Sequence, residues 1–290
     1  MAPWSKAVRA AAAGVGGAGY SPAMDLPYST RPSTEEIIAA VPGLAPYPRA
    51  AVVLAPERGE PTVHQSSVGG PLLWPADEPW PHCDVADKKS GSGSPATAMV
   101  AVVQVYRRDA PGDWWPEDKD VFQLLWCPNV HWDPPAPQAG VSPVAEIRWR
   151  KSADVTQILG SPPLPIRQED PDYGYTPVPC TLTPVPLLDF PYPQGLPDAE
   201  LVESVLEYVE ATGDGDDVIA CVAGIKFGGW PTWRLTDPDD VPCLTCGAPC
   251  GLLFTVGSDL TTKIIVGRWG DFRVFACPVG DEHGYIFDQH

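Results

Sequence analysis

The sequence predicts an α+β, sheet-rich fold: two related antiparallel-sheet lobes from an internal duplication, few helices, and a zinc-knuckle turn in the second lobe. Three observations predict it. Thirty-seven prolines among 290 residues exclude long uninterrupted helices and favour strands, turns and extended connections. Short apolar runs bounded by Gly, Pro and charged turns recur along the chain, as strands do. Finally, a set of Gly, Trp, Cys and His residues occurs twice in the same order, the mark of a repeated unit.

Taken in order, residues 1–30 read as a flexible N-terminal tail. Lys6 and Arg9 ahead of Ala10–Gly19 outline a signal peptide, but that Ala/Gly stretch is too weakly apolar for its hydrophobic region. Gly14-x-Gly16-x-x-Gly19 has dinucleotide-fingerprint spacing, yet no strand precedes it and Tyr20-Ser21-Pro22 stands where a helix should start.

The first repeat lobe is expected over 31–160. Ser33-Thr34-Glu35-Glu36 is a capping box opening a short helix with Ile37, Ile38 and Val41 on one face, and Pro42-Gly43 ends it. Ala50–Leu54 and Pro61–Gln65 read as strands around the charged turn Glu57 to Glu60. Lys88 to Pro95 is a low-complexity loop, and Met99–Val105 and Val121–Trp126 are buried strands. Over 161–197 prolines arrive every few residues, which reads as an extended surface connector with short strands at most.

The second lobe, 198–290, opens with a helix over Asp198–Ala211. Leu201, Val202, Val205, Leu206 and Val209 form its apolar stripe, and Gly213 lies past its end. Val218–Ile225 then reads as an apolar strand. Asp214-Gly215-Asp216-Asp217 is a solvated turn, lacking the spacing and terminal Glu of a calcium loop.

The repeat is visible residue by residue. Gly69-Gly70 and Trp74 match Gly228-Gly229 and Trp233; Cys83 matches Cys243, each closely preceded by proline; Val100–Val105 matches Gly251–Val256. Phe122 and Cys127-Pro128 match Phe272 and Cys277-Pro278, and His131 matches His283. The glycine pairs allow torsions or backbone approaches that a side chain would block. The tryptophans serve as large apolar plugs on the sheet.

Cys243-x-x-Cys246-Gly247, answered by Cys277 and His283, has the composition of a closed structural zinc site. The competing reading is a set of packed, reduced thiols with His283 incidental. Cys250 begins an apolar run and reads as core, as do Cys180 and Cys221. The first set is incomplete. Ala86 occupies the place of the second knuckle cysteine, leaving Cys83, Cys127 and His131, with His82 as a candidate fourth donor. Such a set is either a decayed site or an open metal site in which Asp133 or Glu78 would act as base.

Gly-Gly-x-Pro-x-Trp, then Pro-Cys-x-x-Cys-Gly-x-Pro, then Val-Phe-x-Cys-Pro and a histidine, resembles the YwqG-like family of uncharacterised bacterial proteins. Phe122 to His131 resembles that family's first-half signature. The resemblance covers roughly residues 35 to 290 and implies a duplicated, sheet-rich α+β fold without an assigned activity. It also implies an immunity or antitoxin-like role beside a toxin.

The formal net charge of -18 excludes a phosphate-backbone binder and fits a basic protein partner, such as a toxin. No run of 18 apolar residues occurs, so no membrane span is expected. Cysteines spaced as metal ligands, rather than as a disulfide framework, point to the cytoplasm. Gly-x-Ser-x-Gly, Walker and His-Glu-x-x-His motifs are missing. Two functions follow: a non-enzymatic, zinc-stabilised binding protein, or a metal-dependent hydrolase built on Cys83, Cys127 and His131.

Overall fold

Two long strands, each interrupted by proline, form the middle of the protein. A computed structural model describes residues 31–85, 96–129, 131, 134, 136–138, 143–166, 174–212, 221–233 and 238–289. The tail, the Lys88–Pro95 loop, Ala86, Asp133 and the Asp214–Asp217 turn therefore lie outside the described residues. Ser33 onward belongs to one compact unit.

The strands are β1 (Arg49–Arg58), β2 (Ser67–Val68), β3 (His82–Cys83), β4 (Thr97–Ala98), β5 (Val100–Tyr106), β6 (Val121–Trp126) and β7 (Ala145–Arg150). They continue with β8 (Cys180–Asp189), β9 (Lys226–Gly228), β10 (Gly251–Gly257), β11 (Asp271–Ala276) and β12 (Tyr285–Gln289). Two α-helices occur among the described residues, α1 (Thr34–Ala40) and α2 (Ala199–Thr212). Ten strands form one sheet in the order β12-β11-β10-β9-β1-β8-β2-β5-β6-β7, and β3 pairs with β4 in a small second sheet. The expected sheet-rich architecture with few helices is present. The strands assigned to two lobes, however, share one continuous sheet.

The sheet nearly closes on itself. Trp149 Nε1 on β7 donates to the Tyr285 hydroxyl on β12 at 2.7 Å. Gln138 forms a parallel bridge to Phe287 while its side chain donates to the Ala145 carbonyl. Phe122, Phe227, Phe254 and Trp115 fill the interior, with Phe227 and Phe254 centroids 4.7 Å apart. This is a packed core of interlocking rings.

The two central strands exchange partners. β1 pairs with β8 along its whole length and with β9 on its other side, while β8 pairs with β2. Leu54 pairs with Pro184 and Pro56 with Leu182, so Leu-x-Pro on one strand faces Leu-x-Pro on the other. The β5–β6 and β10–β11 hairpins carry matching register shifts, between Ala101 and Val103 and between Leu252 and Phe254. Each glycine pair begins with a left-handed residue, the first pressed on the segment just ahead of β8 and the second on β1. A Cβ on Gly69 (φ +59°) would come within 2.9 Å of the Val178 carbonyl, and one on Gly228 (φ +67°) within 2.7 Å of the Ala50 carbonyl oxygen.

The strand β8 corrects the expectation of a mere surface connector. Leu54 N–H donates outward to Ile225, so the backbone groups at the facing Pro184 also point away from β1. On that side β2 covers only Cys180 and Thr181, and the missing proline N–H groups break no ladder bond. The expected strand Pro61–Gln65 is instead a turn, with Gln65 N–H bonded to the Thr62 carbonyl. The described part of 218–225 is not a strand either; pairing begins at Lys226.

Both helices follow their sequence signals. Ser33 Oγ accepts from Glu36 N–H and Glu36 answers on Ser33 N–H, completing the capping box of α1. Val205 and Val209 of α2 pack with Ile37, Val41 and Leu44 from the α1 region over Phe190 and Leu196. Leu201 and Val202 join at the edge of that cluster. No helix among the described residues is long and apolar enough to cross a membrane.

Candidate metal centres

Cys243 leaves the bridge that pairs Pro242 with Pro249, and Cys246 follows on the tight turn. Cys243 N–H donates to the Ala248 carbonyl and Gly247 N–H to the Cys243 carbonyl, with Gly247 left-handed at φ +74°. Cys277 comes directly off the end of β11, and His283 ends a short 3-10 turn, Asp281–His283. The four donor atoms lie within 4.8 Å of one another.

Tetrahedral zinc with Zn–S of about 2.3 Å spaces two thiolates by about 3.8 Å and a thiolate and an imidazole by about 3.5 Å. Here Cys246 and Cys277 sulfurs are 3.6 Å apart, and His283 Nδ1 is 3.2 Å from Cys277 and 3.7 Å from Cys243. A disulfide would need about 2.05 Å between sulfurs. The donor set fits a metal ion such as zinc in number and type, and these three distances are compatible with it. The Cys246 and Thr245 N–H groups hold the Cys243 thiol down to about 6 against the opposing effect of burial, which favours the thiolate a metal needs.

Cys250 is not the core residue its apolar run implied. It is half-buried, and its N–H bonds to the Val241 carbonyl across the same bridge. The alternation of that two-stranded base puts Cys250 and Cys243 side chains on one face. Burial and the nearby Cys243 push the Cys250 thiol up to about 11.

The first set also converges. Cys83 on β3, Cys127 just after β6 and His131 bring their donor atoms within 4.8 Å, with Cys83 Sγ 3.5 Å from His131 Nε2. All three are enclosed, at 4%, 1% and 4% exposure, and Leu72, Trp74, Met99 and Leu125 pack around the cysteines. The Cys127 thiol and His131 hold Cys83 down to about 5, whereas sharing that proton and burial push Cys127 up. His131 Nδ1 has no hydrogen-bond partner among the described residues.

Two earlier candidates are corrected. His82 is exposed on the opposite side of β3 from Cys83, and its Nδ1 is engaged by the Trp80 carbonyl. It is not one of the grouped donors. Glu78 is clamped by Arg150, with Oε1 2.9 Å from Nη2, and by Arg148, so both its carboxylate oxygens are engaged in ion pairs.

The repeated tryptophans have partners that sequence spacing did not reveal. The Arg150 guanidinium lies 4.2 Å from the Trp74 ring centre, and that of Arg273 lies 4.1 Å from Trp233. Beside the second glycine pair, Lys226 and Asp189 form a fully buried ion pair at 2.7 Å. Asp189 also accepts from Val222 and Trp230 N–H, so that turn is held by one carboxylate. Compared with known proteins, the chain matches no family model and no curated protein.

Proposed function

We propose that this chain is a non-enzymatic binding protein stapled by structural zinc at Cys243, Cys246, Cys277 and His283. The observation that carries the reading is the complete four-donor set, gathered within 4.8 Å with three of its spacings close to those of tetrahedral zinc. Four protein donors leave no coordination position for a substrate or a reactive water. Zinc there ties the knuckle to the end of β11 and to the Asp281–His283 turn. Its partner is a basic protein such as a toxin, favoured by the net charge of -18; the immunity-like role and YwqG-like kinship are part of the same proposal, as is a cytoplasmic location.

We further infer that the halves arose by duplication. Support comes from the matching hairpin register shifts, the facing Leu-x-Pro segments and the equivalent glycine contacts. The zinc-knuckle turn then elaborates only the second copy.

The alternative, a hydrolase at Cys83, Cys127 and His131, has a three-donor shell in its favour. Enclosure of all three donors and the clamped Glu78 weigh against it. Elemental analysis of the native, untagged protein tests the proposal. Tightly held zinc, whose removal by chelator lowers the melting temperature, supports it; zinc-free, equally stable protein overturns it. An exchangeable metal needed for hydrolysis but not for folding would favour the alternative.

A further inference from the structure

We propose that Cys250 is a resolving thiol that makes the second metal centre sensitive to oxidation, an inference resting on the zinc reading above. The four donors are Cys243, Cys246, Cys277 and His283, and Cys250 is a further free cysteine, half-buried across the Pro242–Pro249 bridge from Cys243. Cys243 N–H bonds to the Ala248 carbonyl and Cys250 N–H to the Val241 carbonyl, so both cysteines stand on one side of the Pro242–Pro249 bridge.

The first half supports that placement. Its matching pair is His82 with Ala98, flanked by Cys83 and Met99, and Met99 N–H bonds to Pro81 as Cys250 N–H bonds to Val241. Met99 and Cys83 share one packed cluster. At the corresponding place the second half carries a thiol, which can form a disulfide, where the first half carries a thioether, which cannot.

Hydrogen peroxide is the oxidant. The Cys243 thiolate attacks one peroxide oxygen; an S–O bond forms, the O–O bond breaks, and hydroxide leaves and takes up a proton as water. The sulfur is oxidised by two electrons to a sulfenic acid and the peroxide is reduced. Cys250 sulfur then attacks the sulfenic sulfur, forming S–S and breaking S–O, and the departing hydroxide leaves as water with the Cys250 proton. The Cys243 donor is consumed, and the shell releases its ion. Cys250 suits this part because it is outside the donor set and stays available while the other thiols are engaged.

The test treats full-length, zinc-loaded protein with one equivalent of peroxide. Zinc release is followed with a chromogenic chelator, and disulfides are mapped by peptide mass spectrometry. Wild type should release zinc and acquire a Cys243–Cys250 disulfide. Cys250→Ser should load zinc normally and release it at least tenfold more slowly; Cys250→Met, which copies the first half, should behave likewise and guards against a packing defect of the serine. Equal release rates in wild type and both variants would overturn the assignment, as would a Cys246–Cys277 disulfide as the product. Protein that is zinc-free at the outset sinks the zinc reading alone, and the disulfide map then still decides the role of Cys250.

Discussion

The two Cys/His groups occupy matching places in the fold but sit in opposite surroundings. The first packs two cysteines and a histidine among Trp74, Met99 and Leu125. The second adds Cys246 on an exposed turn, with Leu244 and Val279 open to solvent. In the first, apolar packing holds the group together whether or not a metal is bound. In the second, few apolar neighbours surround the knuckle, and on the zinc proposal the metal would supply the cohesion. The comparison teaches that similar backbone layouts can rest on burial in one half while the other, with less packing, is left to the coordination proposed above.

The largest effect is expected from Cys246→Ser. Structural zinc sites contribute on the order of 10 kcal/mol to folding of small domains, and losing part of that should lower the melting temperature by about 10 °C. Calorimetry with parallel zinc analysis measures it. Cys83→Ser should cost less, about 1–3 kcal/mol, as a polar replacement in a packed site. Equal losses for the two variants would break the contrast.

Next comes Lys226→Met, which strands buried Asp189 without its cation. Removing one partner of a buried pair costs about 3–5 kcal/mol, readable by urea denaturation. The first half has Ser67 in the matching position, and Ser67→Ala should change stability by less than about 1 kcal/mol because its hydroxyl has no partner among the described residues. A neutral Lys226→Met would remove this second asymmetry.

The glycine contacts predict similarity instead. Gly69→Ala and Gly228→Ala each force a left-handed alanine against a neighbouring backbone carbonyl, that of Val178 or of Ala50, and each should cost about 1–3 kcal/mol. If one proved tolerant, the halves would differ in their turns as well as in their metal groups.

The smallest effect concerns pH. The Arg150 hydrogen bonds hold the Glu78 carboxyl below the usual carboxylate range, against a partial desolvation cost. A depressed folded-state value gives stability that is present above the unfolded value of about 4.3 and is lost as pH falls through the folded one. Glu78 is partly exposed, so solvent screening limits the gain to roughly 1 kcal/mol. Glu78→Gln should be less stable at neutral pH and lose less on acidification. An unchanged acid profile would assign the acid sensitivity elsewhere.

Local chemistry made much of this readable in advance. The capping box of α1, the stripe of α2, the glycine turns and both Cys/His groups depend on nearby residues or on strongly marked types. What escaped notice depends on strand pairing. Pro184 and Pro186 disguised β8, because whether proline is allowed turns on which edge its nitrogen faces. Leu54-x-Pro56 and Leu182-x-Pro184 look unremarkable until they lie opposite each other. Arg150 and Arg273 reach their tryptophans from other strands. Cys250 resembled a core residue because its apolar neighbours follow it along β10, while its own contacts lie across the bridge.

The exchange of central strands has a consequence for synthesis on the ribosome. β1 and β2 emerge early, yet β1 pairs with β8 and β9, and β2 needs β8 on one side. At 5–20 residues per second, β1 waits on the order of ten seconds for its first partner. Throughout that interval the nascent first half carries unpaired strand edges, the kind of surface that templates intermolecular association. Truncation after β7 should therefore yield an aggregating fragment, not a half-sized folded protein.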